Sequence, residues 1–202
     1  MGEPESLIAA VTPPVHGRGD RYLCYAELAS CEREGLDFRV VVREVACAAT
    51  TIIAPHAGAI ERGTSRLAMA IAGDEHSYYL FEGLKPRRNF TLHITSRRFD
   101  EPRCLALVGR SRTVVSLHGC AGEQPAIYLG GRAAGLKGAI TAALRQSGCP
   151  AVGDDHHFPA LDADNICNRG ADGAGVQIEF TAGFRRTMDV DAIAAVIRAT
   201  LT

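Results

Sequence analysis

Short apolar, β-branched runs recur along the chain, separated by glycine-rich turns and by stretches with helical spacing. Runs of this length and composition are typical of β-strands, and the near-continuous apolar runs are typical of strands covered on both faces. Strands are predicted on this pattern at 38–45, 50–55, 77–83, 90–96, 113–119, 126–130 and 176–180.

Apolar residues spaced three and four positions apart predict helices between these strands. Thr64 or Ser65 is a suitable N-cap, and Gly73 a suitable end, for a short helix after the second strand. Further helices are predicted at 21–34, 135–148 and 189–201. Helices that alternate with strands indicate an α/β domain of three layers, α/β/α, around a mixed, largely parallel central sheet.

The chain has 202 residues, 47% of them hydrophobic, and can bury the core of one ordinary domain. We expect residues 1–19 to form a poorly ordered N-terminal extension and residues 20–202 to form a single domain. Residues 149–175 are dense in Gly, Asp, Asn and Ala and are predicted to form a long loop. A loop of this length inside a compact domain tends to be functional.

The formal net charge of −1 argues against broad electrostatic binding of nucleic acid or of an anionic membrane. No apolar run approaches the roughly 20 residues that span a bilayer. The first residues are acidic where a secretory signal is basic, so a cytoplasmic protein is expected. Seven cysteines without C-x-x-C spacing indicate mostly buried thiols rather than a disulfide framework or a zinc finger. The sequence leaves the oligomeric state open.

Two histidines, His56 and His118, each follow an apolar strand and precede a glycine by one or two residues. In α/β sheets the carboxyl ends of strands face the crevice where ligands bind. Glu61 lies just before the helix that follows His56. Two imidazoles and one carboxylate are the ligand set of a catalytic zinc that keeps one position open for water. Taken singly, each histidine is more often a hydrogen-bonded loop residue, and Glu61 a solvated acid at a helix start.

Glu179 lies on a strand that is otherwise built of apolar residues, in the word "GVQIEF". A carboxylate at such a position is unfavourable to bury without a partner. A general base beside a metal-bound water would have one. The alternative is an edge-strand residue that faces water.

The words "APHAGAIERGTS", "LHITSRRFDEP", "VVSLHGC", "NICNRG" and "GVQIEFTAGFR" occur in this order along the chain. With them the chain resembles the poly-γ-glutamate hydrolase family, which includes phage-borne enzymes that cut the γ-linked glutamate capsule polymer. The resemblance covers roughly residues 20–200. It implies a compact zinc-dependent peptidase similar in fold to carboxypeptidase A, and release by cell lysis if a phage encodes the protein.

Carried over to this chain, the resemblance makes His56, Glu61 and His118 the zinc ligands and Glu179 the catalytic glutamate. Zinc would lower the pKa of its bound water from about 16 towards 7, which makes that water the nucleophile. Glu179 would take the proton and later deliver it to the leaving amine.

The chain departs from the family pattern at two positions. Ala57 replaces the usual glycine after the first histidine, which is a mild change. Arg66 stands after "GTS", where the family often has an acid, and is expected to influence which substrate charges are preferred.

A glutamate-rich substrate calls for a carboxylate clamp, and the planar fork of arginine suits that role. Arg169 in the long loop, with Asn165 and Asn168 beside it, is similar to the Asn-Arg pair with which carboxypeptidases grip a substrate carboxylate. Arg185 and Arg132 are further candidates. For any one of these arginines, a surface salt bridge is the more common explanation.

Four other groups are interpreted without a direct role in the chemistry. His93 and His76 are expected to orient a ligand or hold a turn rather than bind the metal. Cys120 follows His118 too closely to imply cysteine-protease geometry, and packing near the metal is expected of it. The pair at 156–157 is expected in a solvated loop.

The leading hypothesis is a zinc-dependent hydrolase of amide bonds in poly-γ-glutamate or a related acidic γ-glutamyl peptide. A second hypothesis keeps zinc and changes the substrate to a cell-wall peptide or an N-acyl amino acid. A third is a non-catalytic, phage-related binding protein. The presence of Glu179 together with the three ligands argues against the third, because lost activity usually shows first at such positions.

Overall fold

A computed structural model describes residues 19–201 of the chain. The predicted N-terminal extension therefore lies outside the described residues, apart from its last one. The strands are β1 (Phe38–Arg43), β2 (Thr50–Gly58), β3 (Ser77–Gly83), β4 (Thr113–Cys120), β5 (Ile127–Gly130), β6 (Ala151–Val152) and β7 (Val176–Thr181). The helices are α1 (Tyr25–Cys31), α2 (Thr64–Ala72), α3 (Pro102–Arg110), α4 (Ala134–Gln146), α5 (Ala182–Thr187) and α6 (Val190–Arg198). Two short 3₁₀ turns span Asn89–Leu92 and Ile166–Asn168.

The strands form one sheet in the order β1-β3-β2-β4-β7-β5-β6. The four central strands β3, β2, β4 and β7 run parallel, β1 is antiparallel to β3, and β5 is antiparallel to β7. Parallel strands need crossover connections, and the helices supply them. The predicted mixed, largely parallel sheet is confirmed.

Helices cover both faces of the sheet. Successive side chains of a strand point to opposite faces, and in the central strands both sets are apolar, so each face needs a covering layer. Ile52 packs into the core cluster under α2, α4 and α6, whereas its neighbour Ile53 packs into the cluster under α1 and α3. Val115 and Val114 divide in the same way. The predicted three-layer α/β/α arrangement is therefore confirmed.

The predicted strand at 90–96 is wrong. A 3₁₀ turn occupies Asn89–Leu92, and an irregular segment follows it. The side chain of Asn89 makes two hydrogen bonds with the backbone of Lys85, and the hydroxyl of Thr91 donates to the carbonyl of Arg88. Such local side-chain bonds offer the backbone an alternative to a sheet ladder, and here they close a turn.

Two helices, α3 and α5, were not predicted from the spacing of apolar residues. The start of α3 nevertheless carries a standard signal, because Pro102 occupies the first turn and the carboxylate of Glu101 accepts from the backbone N–H of Cys104. The predicted helix at 21–34 is shorter, at Tyr25–Cys31. Within residues 19–201, no helix combines the length and the hydropathy needed to cross a bilayer.

Candidate metal centre and active-site cleft

Three candidate ligands meet where β2 and β4 end. The pairing of β2 with β3 shifts register between Ala54 and Ala57, so the strand bulges at Pro55 and His56. The chain then turns at Gly58, whose φ is 66°, and the backbone N–H of Glu61 donates back to the carbonyl of His56 at 2.8 Å. This turn places the Glu61 carboxylate beside the His56 ring.

The geometry of these groups suits one shared ion. His56 Nδ1 lies 3.2 Å from Glu61 Oε1, and His118 Nδ1 lies 3.8 Å from Glu61 Oε2. The two Nδ1 atoms are 3.1 Å apart. Among residues 19–201, these three residues form the one cluster of histidine, cysteine or acidic groups whose ligand atoms all fall within 4.8 Å of one another.

Hydrogen bonds on the far side of each ring fix which nitrogen faces the cluster. His56 Nε2 lies 2.8 Å from the carbonyl of Ile94, which can only accept, so in the neutral ring Nε2 carries the proton and Nδ1 presents a lone pair. His118 Nε2 lies 2.8 Å from Ser116 Oγ and 3.4 Å from Ser96 Oγ.

When Nε2 of His118 donates to a serine, three lone-pair donors converge with no proton between them. A cation relieves that repulsion, and two imidazoles with a carboxylate suit zinc. The residues present therefore fit the metal.

The charges of the three residues follow from burial and from their mutual contacts. Burial acts to lower the pKa of His56, but the neighbouring Glu61 carboxylate raises it above its ordinary value, so a metal must displace a proton from this ring. Burial, helped by the neighbouring His56, lowers the pKa of His118 to about 3, which keeps that ring neutral. Burial acts to raise the pKa of Glu61, but the two histidines hold it below its ordinary value. The N–H of Gly119 also donates to Glu61 Oε2 at 2.8 Å. Neutral imidazoles and an ionised carboxylate are the forms that bind metal.

Glu179 lies next to this cluster because β4 and β7 are in register. His118 pairs with Glu179 and Ser116 pairs with Gln177 across the parallel ladder, so these four side chains share one face. Glu179 is buried, and burial together with the charge of Glu61 raises its pKa to about 8.

A chain of amide hydrogen bonds orients Glu179. The backbone N–H of Cys167 donates to Asn165 Oδ1, which leaves Asn165 Nδ2 to donate to Gln177 Oε1 at 2.9 Å. Gln177 Nε2 then donates to Glu179 Oε1 at 3.0 Å. Because the first donor is a backbone amide, the direction of every later bond is determined. One oxygen of Glu179 is thereby fixed and the other is left for chemistry.

A cleft of about 580 Å³ opens above these groups. The candidate ligands and Glu179 form its floor, the segment 90–97 forms one wall, and the segment 157–162 from the long loop forms the other. The loop predicted to be functional therefore borders the candidate site. Cys120 also lines the cleft, and burial raises the pKa of its thiol to about 11, in agreement with a packing role.

His93 supports the candidate ligand His56 from the side. The two rings lie 3.9 Å apart between centroids and are tilted by 30°. Nδ1 of His93 donates to Asp20 Oδ1 at 2.5 Å, and Asp20 also accepts from the N–H of Thr95. The interpretation of His93 as an orienting residue agrees with this geometry. His76 lies just before β3, at the end of the sheet away from the candidate site, where its backbone N–H donates to the carbonyl of Ala72.

The structure separates the residues predicted to bind substrate. Asn165 lines the cleft, but Asn168 is buried and uses its amide to hold the long loop through Ala160, Asp162 and Gly175.

Among the predicted arginines, Arg185 reaches the edge of the site. It donates to the carbonyls of Phe180, Arg62 and Cys120, and Cys120 is a lining residue. The other predicted arginines, Arg169, Arg132 and Arg66, are exposed and do not line the cleft. Arg66 instead pairs with Asp191 at 3.4 Å on the surface.

Three residues at the site were missed by sequence reasoning, namely Arg97, Gln177 and Asp20. Arg97 and Gln177 lie inside the family words "LHITSRRFDEP" and "GVQIEF", so their position in those words was the available signal. Asp20 contacts His93 across 73 positions of sequence, and no local pattern indicates that contact.

Comparison with known proteins identifies the chain. The family model described as poly-gamma-glutamate hydrolase matches residues 22–196. The chain belongs to this family. The predicted family and the hydrolase class are thereby confirmed.

Curated relatives support the assignment. YndL of Bacillus subtilis (strain 168) is 39% identical over 171 residues, which are 84% of this chain and 67% of that protein. The SPbeta prophage-derived protein YoqZ of the same strain is 34% identical over 185 residues, which are 91% of this chain and 66% of that protein. The chain therefore spans about two thirds of the length of these relatives.

Solved structures share the fold. A bacteriophage poly-γ-glutamate hydrolase superposes with a TM-score of 0.87 at 30% identity, covering 90% of this chain and 96% of that one. The zinc-free form of YndL superposes with a TM-score of 0.85 at 34% identity, covering 91% and 98%. An N-formylglutamate amidohydrolase from Ralstonia eutropha JMP134, at 14% identity, TM-score 0.51 and coverage of 82% and 95%, shares the fold alone.

Proposed function

We propose that the chain is a zinc-dependent hydrolase of amide bonds in poly-γ-glutamate or a related acidic γ-glutamyl peptide. The observation that carries this proposal is the shared cleft floor of His56, Glu61, His118 and Glu179. Metal-assisted amide hydrolysis needs at least three protein ligands for the metal and a free carboxyl group beside them. The bacteriophage relative is named for the same reaction.

Bound zinc supplies Lewis-acid polarisation of the scissile carbonyl and lowers the pKa of water. The protein holds the three ligands in place through second contacts. Ile94 fixes the ring of His56, Ser116 fixes the ring of His118, and the N–H of Gly119 fixes Glu61. Such outer contacts determine ring orientation and keep Nδ1 of both histidines available.

Glu179 acts as the general base and then as the general acid. Its Oε1 accepts from Gln177, so Oε2 is the atom that takes a proton from the attacking water. The same oxygen later donates that proton to the nitrogen of the leaving amine, which departs neutral. A raised pKa suits this second step, because a carboxyl group near neutrality holds a proton and releases it again.

The cleft suits a chain-like substrate because both of its walls end at the surface. Phe90 and Leu161 are 66% and 62% exposed and line the cleft from the segments 90–97 and 157–162. A γ-linked glutamate chain carries two methylene groups in each repeat, which can pack on such apolar side chains. Its scissile amide can then lie across the floor.

The test uses purified protein, zinc analysis and poly-γ-glutamate. We expect about one zinc per chain and shortening of the polymer by the zinc-loaded protein. A chelator should remove the zinc and stop the cleavage. Glu179→Gln should keep the metal and lose at least about 100-fold in rate, since general acid–base catalysis contributes 10²–10⁴-fold. Glu123→Gln, an exposed carboxylate, is the matched control and should cleave normally.

Two results would overturn the proposal. Zinc-loaded protein that leaves the polymer intact would rule out this substrate, and a parallel assay on a cell-wall peptide and an N-acyl amino acid would then identify another. A Glu179→Gln protein with full activity would rule out the assigned base.

A further inference from the structure

We propose that Arg97 binds a carboxylate of the substrate and that Asp162 competes for Arg97 when substrate is absent. The inference deepens the proposed function and rests on it. Arg97 lies on one wall of the cleft and Asp162 on the other, and Arg97 Nη1 is 3.6 Å from Asp162 Oδ2. The ion pair therefore joins the two walls of the cleft that also contains the candidate metal ligands.

Arg97 is the available cation of the cleft. Among the described residues that line it, Arg97 is the one arginine or lysine. The adjacent Arg98 is engaged by buried Asp20 at 2.9 Å, and Arg185 is held by three backbone carbonyls. A ligand carboxylate that enters the cleft can thus reach the guanidinium of Arg97 without breaking a buried bond.

The bond between Arg97 and Asp162 is easy to exchange. The side chains are 65% and 42% exposed, and ion pairs this exposed contribute little to stability. The backbone of Asp162 is nevertheless fixed, because its carbonyl accepts from the N–H of Asn165 at 3.1 Å and from Asn168 Nδ2 at 2.8 Å. The Asp162 carboxylate is held as well, because its Oδ1 accepts from the N–H of Asp164 at 3.0 Å. Release therefore requires only that the exposed Arg97 side chain swing away, with no movement of the loop.

The chemistry of the ligand matches the pair. Linkage through the γ-carboxyl leaves every glutamate with a free α-carboxylate, whose two oxygens fit the planar fork of arginine. Such a ligand replaces the single 3.6 Å contact with a two-point bond. A neutral peptide offers nothing to displace Asp162. The pair therefore selects acidic γ-glutamyl ligands over uncharged ones.

The experiment measures binding rather than turnover. Zinc-loaded Glu179→Gln protein is titrated calorimetrically with a γ-linked glutamate oligomer and with the same oligomer esterified at its α-carboxylates. In this background, Arg97→Gln should weaken binding of the free acid about tenfold, and Arg97→Lys should fall in between because it keeps charge without the fork. Neither change should alter binding of the ester.

Asp162→Asn is the discriminating variant, because it should tighten binding of the free acid by about threefold or more. The gain should vanish in the Arg97→Gln/Asp162→Asn double variant, because no competition remains. Asp164→Asn makes the same charge change two positions away on an exposed residue that does not line the cleft, and should have no effect. Thermal unfolding of each variant checks that it folds.

Three results would overturn the inference. In the first, Asp162→Asn leaves the affinity for the free acid unchanged or weakens it. In the second, Asp162→Asn still tightens binding when Arg97 is also replaced by Gln. In the third, the Glu179→Gln parent protein binds no oligomer. Failure of the proposed function looks different. In that case wild-type protein leaves the polymer uncut while Asp162→Asn still tightens binding through Arg97.

Discussion

Gln177 and Glu179 are joined by a hydrogen bond of 3.0 Å, from the amide Nε2 to the carboxylate Oε1. They are two positions apart on β7, so both side chains leave the same face of the strand. Asn165 fixes the other end of the Gln177 amide at 2.9 Å. Two uncharged residues outside the metal cluster, Asn165 and Gln177, thus set the orientation of the proposed general base.

The first prediction follows from that bond. Gln177→Met keeps the volume and removes the donor, so we expect kcat to fall about tenfold with KM nearly unchanged, because a hydrogen bond to a charged group contributes about 1.5 kcal/mol. Gln146→Met, at the exposed end of α4, is the control. Steady-state kinetics on poly-γ-glutamate separates the two constants, and a raised KM at normal kcat would argue for substrate binding by Gln177 instead.

The second prediction concerns the metal and stability. Zinc at about 100 times its dissociation constant should raise the free energy of unfolding by about 2.7 kcal/mol. Glu61→Gln should abolish that gain, since even a change beside a ligand lowers metal affinity about 10–100-fold. Glu101→Gln alters another buried carboxylate, the cap of α3, and should lower stability while keeping the gain from zinc. Urea unfolding with and without zinc measures all three proteins.

The third prediction tests the turn between His56 and Glu61. A Cβ on Gly58 would lie 2.8 Å from the carbonyl oxygen of Gly83, and the φ of +66° disfavours any side chain. Gly58→Ala should therefore destabilise the protein by about 2 kcal/mol or more and weaken zinc binding, because the turn positions both ligands. Gly109→Ala meets nothing within 4 Å in helix α3 and should be neutral or stabilising. Equal stability of the two variants would contradict this account.

The sequence predicts the floor of the site better than its walls. His56, His118 and Glu179 belong to strands whose apolar pattern is legible, and parallel strands bring their carboxyl ends to one edge. The walls depend on contacts between the segment 90–97 and the long loop, which no local pattern records.

The residues predicted around Arg169 show where prediction of the site from sequence fails. A 3₁₀ turn at Ile166–Asn168 buries Asn165 and Asn168 and leaves Arg169 exposed. Adjacent positions therefore point to different surroundings, and sequence proximity alone does not determine which of them reaches the cleft.

The fourth prediction concerns Arg66, which was expected to influence substrate choice. In the structure its side chain is 69% exposed and pairs with Asp191 outside the cleft. Arg66→Ala should leave KM for the polymer within about twofold and change stability by less than about 0.5 kcal/mol. The same assay on Arg97→Ala supplies the contrast. A large rise in KM for Arg66→Ala would instead place the polymer on the α2 side of the cleft.

The fifth prediction is a pH dependence of stability that comes from Asp20. Burial acts to raise the pKa of Asp20, but hydrogen bonds from His93 and Thr95 lower it from 3.8 to about 2. A carboxyl with a depressed pKa in the folded state stabilises the protein above its unfolded pKa and loses that contribution as the pH falls through its folded pKa. Asp20→Asn should therefore lose about 1–2 kcal/mol at about pH 7, less at about pH 3, and little below about pH 2.

Urea unfolding across that pH range measures the difference between Asp20→Asn and the wild type. Asp74→Asn, which changes a fully exposed carboxylate, is the control. Because Asp20 holds the ring of His93 against His56, the variant should also bind zinc more weakly at neutral pH. A stability difference that stays constant between about pH 7 and pH 3 would exclude Asp20 ionisation as its source.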